Sequence, residues 1–120
     1  MMESNEKIAL IDKEKGRLSK NFAKISGKKK AVIKGLIERA AFMRVSLDNL
    51  ELDLNEKGFV EQFSQGDQEP YDRKRPVADL YNTMNANYQK IIKQLTDLLP
   101  KESEIQGDDG FDGFVSERDD

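Results

Sequence analysis

The chain has 120 residues, of which 37% are hydrophobic and 36% charged, so it is one domain at most, and each narrow apolar stripe calls for a partner helix from this chain or another copy. It has no cysteine and no histidine, which excludes a disulfide framework, thiolate–metal sites, Ser–His and Cys–His pairs and the commonest zinc ligands. The formal net charge of −3 hides a split: residues 1–45 hold 12 Lys/Arg against 5 Asp/Glu, while residues 46–120 hold 8 against 18, a pattern fitting an adaptor that touches a polyanion at one end and a protein at the other.

Apolar residues at Ile8, Ile11, Leu18, Phe22 and Ile25, with Lys15 completing the spacing, predict a first helix with a coiled-coil-like seam. Gly16 interrupts it at a cost of ~1 kcal/mol against alanine, and Gly27 supplies a C-terminal stop, so the helix is expected to end near residue 26. A second helical pattern runs through Val32, Leu36, Ile37, Ala40, Met43, Leu47, Leu50 and Leu54 and closes at Gly58. Ser46 would suit a fresh N-cap, but Val45 and Ser46 are also tolerated inside a helix, and one continuous element, with room for a bend, is the preferred expectation.

Residues 59–75 alternate at Phe59, Glu61 and Phe63 and then carry turn-formers and Pro70, which predicts an extended crossover or a short hairpin arm. Pro76 suits a first helical turn. Beyond it Tyr81, Met84, Tyr88, Ile91, Leu95 and Leu98 repeat the seam spacing, broadened by Leu80, Ile92 and Leu99, and Pro100 marks the end of this third helix. Residues 101–120 carry 8 Asp/Glu against 2 Lys/Arg and are expected to form a disordered acidic tail. The expected fold is therefore all-α: three principal helices with an extended arm or short hairpin between the second and third, divided into a helical domain at 1–100 that carries the basic residues and the seams and the tail at 101–120. Opening residues with neither a basic leader nor an apolar run, and the lack of any stretch near ~18 apolar residues, lead to the expectation of a soluble intracellular protein without a membrane partner.

The residues that carry a possible function are few. Gly27-Lys28-Lys29-Lys30 lacks the preceding glycine and strand of a phosphate-cradling loop, and no enzyme activity, metal or cofactor is expected. Asp53-Leu54-Asn55-Glu56-Lys57-Gly58 begins like a calcium loop, but Lys57 takes a ligand position and Ser64 stands where a bidentate glutamate belongs, so a glycine-capped helix end is favoured. Asp108, Asp112, Gly113, Val115 and Asp119 fit that spacing better, yet Gly110 replaces a ligand and a solvated acidic tail is preferred.

The basic cluster is Lys20, Lys24, Lys28, Lys29, Lys30, Lys34, Arg39 and Arg44. Lys20 and Lys24 lie one helical turn apart on the first helix and Lys30 and Lys34 repeat the step on the second, so a turn at Gly27 brings a cationic rim together. Such a rim suits phosphates, contacted through counterion release without base specificity; the bland counterpart is a solvated helix face, and the acidic second half tips the choice. In the tail, Phe111, Phe114 and Val115 stand in an acidic field, the makeup of a short docking peptide, against the alternative of an inert solubilising extension.

Residues 29–100 resemble the small-subunit terminase proteins of tailed phages. The likeness rests on the helix from Ala31 to Leu50 closing on Asn55-Glu56-Lys57-Gly58, on an extended arm, and on Arg75-Pro76-Val77-Ala78-Asp79-Leu80-Tyr81 leading into the helix from Asn87 to Pro100. The resemblance implies a ring-forming, non-catalytic packaging adaptor in the cytoplasm of the infected bacterial host, which binds double-stranded viral DNA and delivers it to the ATP-hydrolysing, DNA-cutting large subunit. It also implies self-association through the surface around Tyr81, Met84, Tyr88, Ile91 and Leu95, extended here to Leu98, and a C-terminal docking tail. The compact helix-turn-helix domain of many such proteins has no room, because residues 1–27 offer one helix where three would be needed. The rival expectation is a helical scaffold or regulatory protein that binds only proteins, its lysines solvated.

Overall fold

A computed structural model describes residues 4–100. The chain is mostly helical, in the order α1 (Ser4–Asn21), α2 (Lys29–Lys57), β1 (Val60–Phe63), β2 (Tyr71–Lys74) and α3 (Pro76–Asp97). Of the two forms expected for the arm, the structure has the short hairpin, a two-stranded antiparallel sheet with Val60 opposite Lys74 and Phe63 opposite Tyr71, so the fold is mostly helical with three helices and this small sheet. The tail, with Phe111, Phe114 and Val115 and the second calcium-like spacing, lies outside the described residues.

α1 ends at Asn21, earlier than the apolar spacing suggests. Phe22 and Ile25 keep that spacing but follow in a tightened turn, where the Ile25 N–H donates to the Phe22 carbonyl at 3.2 Å. Both side chains are buried, so leaving the helix lets Ile25 fold under α2. Gly27, at φ 73°, reverses the chain, and its carbonyl accepts from the Lys30 N–H at 3.1 Å to open α2.

α2 is one unbroken helix of 29 residues, about 42 Å long at 1.5 Å per residue. It packs against α1 on one side and α3 on the other. That double contact explains the wide arc of buried residues, Ile33, Ile37, Ala40, Ala41, Val45, Leu47 and Leu54, with Ala40 and Ala41 small enough for the neighbouring helices to approach closely. Ser46 is buried mid-helix and its hydroxyl has no hydrogen-bond partner among the described residues. The core cluster gathers Leu18, Phe22, Ile25, Ile33, Ile37, Ala40, Ala41 and Leu95, with Tyr88, Ile91, Leu98 and Leu99 packed around it.

α2 stops at Gly58, which at φ 82° donates its N–H to the Leu54 carbonyl at 2.7 Å, the glycine-capped end expected for this segment. Arg75 then ties the hairpin to the helices. Its N–H donates to the Phe59 carbonyl at 2.8 Å, Nη1 to the Gly58 carbonyl at 2.8 Å and Nη2 to Asp53 Oδ2 at 2.8 Å. On one hairpin face the Arg73 guanidinium lies 3.6 Å from the Phe63 ring centroid and donates to Glu61 at 2.7 Å, while Phe63 and Tyr71 meet edge to face. Pro76 opens α3 from an extended Arg75, as its fixed φ suits.

Candidate nucleic-acid interface

Because α2 is one long unbroken helix, the order of charges along the chain becomes a separation in space. α3 returns antiparallel to α2 and brings Leu95, Leu98 and Leu99 back to the cluster at the corner where α1 turns into α2. The hairpin end holds Lys57, Arg73, Lys74 and Arg75, and each has a carboxylate: Asp53 at 3.8 Å, Glu61 at 2.7 Å, Asp79 at 2.8 Å and Asp53 at 2.8 Å, respectively.

The corner is the reverse. Lys20, Lys28, Lys29, Lys30 and Lys34 are all exposed, and none has an ion-pair partner among the described residues. Lys24 is exposed beside them in the turn. Lys20 sits in the last turn of α1, where a cation complements the helix dipole, but Lys28, Lys29 and Lys30 crowd the start of α2, which has no acidic residue in its first turn and no side-chain cap. Three cations at the positive end of a helix oppose its stability until an anion is supplied. Beneath the rim lies an open groove of about 520 Å³ between α1 and α2, floored by Phe22, Ile25, Ile33 and Ile37 and edged by Lys15, Lys30 and Lys34, with Glu38 as its one carboxylate.

The two arginines of the expected cluster are placed elsewhere. Arg39 turns back on its own helix, donating to the Gly35 carbonyl at 3.2 Å. Arg44 lies about 21 Å along α2 from Lys30 and is engaged where the three helices meet: it hydrogen-bonds Tyr88 of α3, stands 3.6 Å from Asp48, and feels Glu14 of α1. The Tyr88 bond is the main cause that raises its guanidinium pKa, against the opposing effect of burial. Glu14 is held below the ordinary carboxylate value chiefly by its hydrogen bond from Arg17, burial acting against it and the charges of Arg17 and Arg44 adding to it.

The residues expected to join subunits face α2 within the chain. Leu95 is 0% exposed, Tyr88, Ile91 and Leu98 pack on the central cluster, and Met84 is half-buried. Tyr81, also half-buried, donates its hydroxyl to Glu51 at 2.9 Å. Exposed apolar side chains lie toward the hairpin end, at Leu52, Phe59, Val60, Tyr71 and Leu80, and also at Ile8 and Leu10 of α1 and at Val32 and Phe42 of α2. Sequence spacing placed Ile8, Val32 and Leu80 on buried stripes and gave no signal for the others beyond the alternation at Phe59. Among the described residues no acidic group is placed to hold a metal ion, and no helix is long and apolar enough to cross a membrane.

What fold and site define is a small, mostly helical chain in which five exposed lysines at one corner, Lys20, Lys28, Lys29, Lys30 and Lys34, have no carboxylate among the described residues, while the basic residues at the hairpin end are paired. Compared with protein-family models, curated proteins and solved structures, the chain matches none.

Proposed function

We propose that this chain is a non-catalytic DNA-packaging adaptor of the terminase small-subunit type, acting in the cytoplasm of an infected bacterium. The lysine corner contacts duplex phosphates. Copies associate through the apolar side chains left exposed beside the hairpin and the outer edge of the α3 seam, and the acidic C-terminal segment engages the large subunit. One observation carries the proposal: basic residues at the hairpin end each have a carboxylate, whereas Lys20, Lys28, Lys29, Lys30 and Lys34 have none among the described residues. Lysines that serve only solubility need no such segregation, and crowding three of them on a helix N-terminus works against the fold.

The test is binding to an arbitrary duplex by fluorescence anisotropy at two salt concentrations. About six phosphate contacts predict an affinity loss on the order of 10³-fold between 50 and 200 mM salt. Changing Lys28, Lys29 and Lys30 together to Glu weakens binding uniformly across sequences. Absence of binding at either salt refutes the proposal and leaves a protein-binding scaffold. Native mass spectrometry supplies the second arm, with a ring of many copies expected and a monomer at micromolar concentration counting against it.

A further inference from the structure

The groove between α1 and α2 has a chemistry that bare phosphate does not use. Its floor is apolar, from Phe22, Ile25, Ile33 and Ile37, and its edges are Lys15, Lys30 and Lys34. A ligand that fills it needs aromatic or aliphatic groups set among carboxylates. The chain carries such a segment itself: Asp108-Asp109-Gly110-Phe111-Asp112-Gly113-Phe114-Val115, within a stretch of 8 Asp/Glu against 2 Lys/Arg. We infer that this C-terminal segment seats in the groove of its own chain, Phe111 and Phe114 on the apolar floor and the flanking aspartates on Lys30 and Lys34.

Placement and length favour the same chain. Leu98 and Leu99, at the end of the described residues, pack on the cluster that contains Phe22, Ile25, Ile33 and Ile37, the side chains that also floor the groove. Phe111 follows Pro100 by a stretch that reaches at most about 36–40 Å when extended, several times the 8–10 Å between packed helix axes. Tethering keeps the segment at high effective concentration, so a weak site suffices. Charge matches on both sides: Lys30 and Lys34 have no carboxylate among the described residues, and Glu38 is the one acid in the lining. The consequence under the DNA-binding proposal is competition, because a duplex that takes the lysines displaces the segment and frees its phenylalanines for a partner.

The experiment does not depend on DNA. The chain has no cysteine, so Ser116→Cys gives a single site for a nitroxide label. In the full-length, isotope-labelled protein at low salt, selective loss of amide signal at Phe22, Ile33, Lys34 and Ile37 is expected, with Val60 and Tyr71 in the hairpin unaffected. Phe111→Ser with Phe114→Ser keeps every charge and should restore those signals, as should Lys30→Glu with Lys34→Glu. No loss at the groove overturns the inference. So does a loss that survives the phenylalanine changes, which would mean diffuse charge attraction without seating, or one that transfers fully from nitroxide-labelled to isotope-labelled copies on mixing, which would place the segment on another molecule. A several-fold gain in duplex affinity in the phenylalanine variant is the functional counterpart, and its absence alongside a seated segment counts against the DNA-binding proposal alone.

Discussion

Leu95→Ala tests whether the α3 seam is satisfied within the chain. Leu95 is 0% exposed and packs in a cluster with Leu18, Phe22, Ile25, Ile33, Ile37, Ala40 and Ala41. Truncation of a buried leucine costs about 2–5 kcal/mol, the lower values belonging to sites that collapse into the space. This site collapses poorly, because Ala40 and Ala41 have no side chain to swing inward and α2 is pinned by its contacts with α1 and α3. A loss of about 4 kcal/mol is therefore expected, against a total of about 5–15 kcal/mol for a domain of this kind, or a fall in Tm of roughly 16–32 °C at 4–8 °C per kcal/mol. The assay is urea unfolding followed by far-UV circular dichroism, at two protein concentrations tenfold apart. Leu80→Ala on the same helix is the control, since an exposed leucine costs within about 0.5 kcal/mol unless a second copy covers it. A loss under about 1 kcal/mol for Leu95→Ala, or one seen only as a shift in midpoint with protein concentration, would refute enclosure within the chain and return this residue to an interface between subunits.

Three further outcomes follow from the same geometry. Ser46→Ala removes a buried hydroxyl that has no partner, so it should stabilise the chain by about 1 kcal/mol and raise Tm by a few degrees, checked by thermal unfolding. Arg75→Lys keeps the charge but loses the fork that reaches both Gly58 and Asp53, so amide exchange at Glu61 and Phe63 should accelerate as the hairpin base loosens by about 1.5–3 kcal/mol, while α2 amides stay protected. Glu14 has its folded pKa below the ordinary 4.5, so the stability it contributes is present in full above that pH and is lost as pH falls through the depressed value; Glu14→Gln should flatten the acid limb of the stability profile without altering its neutral plateau slope.

The helices were legible because periodicity agreed with a glycine at each boundary of α2, Gly27 and Gly58, and with a proline at each boundary of α3, Pro76 and Pro100. At Gly58 the residue type, the stop of the pattern and the cap bond coincide, and Pro76 opens α3 where its missing N–H costs nothing. The end of α1 was misplaced because Phe22 and Ile25 keep helical spacing while the backbone has already turned; spacing reports which side chains are buried, and a tight turn buries them as well as a helix does. The α3 seam shows a second limit: Tyr88, Ile91 and Leu95 carry the same pattern whether the partner helix belongs to this chain or another copy. Nor does spacing disclose that Arg44 is drawn to Tyr88 and Glu14, since that arrangement arises only when three separate helices are packed. The lysine cluster was visible in the sequence, but that Lys20, Lys28, Lys29, Lys30 and Lys34 lack a carboxylate among the described residues was not, because ion pairing at the hairpin end depends on the register that sets Arg73 against Glu61.

The length of α2 decides how these features act together. A single helix of 29 residues sets Asp48, Glu51 and Glu56 about 27–39 Å along α2 from Lys30, about three to four times the Debye length of about 10 Å at 0.1 M salt. A polyanion at the corner is therefore screened from those carboxylates, and the hairpin is not drawn to it, because Arg73, Lys74 and Arg75 are already neutralised. In a more compact packing the same composition would quench itself, with lysines and carboxylates pairing across the fold. Keeping α2 unbroken through Val45 and Ser46 is what prevents that, and it does so at the cost of a buried hydroxyl with no partner. Charge order in the sequence becomes two electrostatically independent ends only because the helix between them does not bend back.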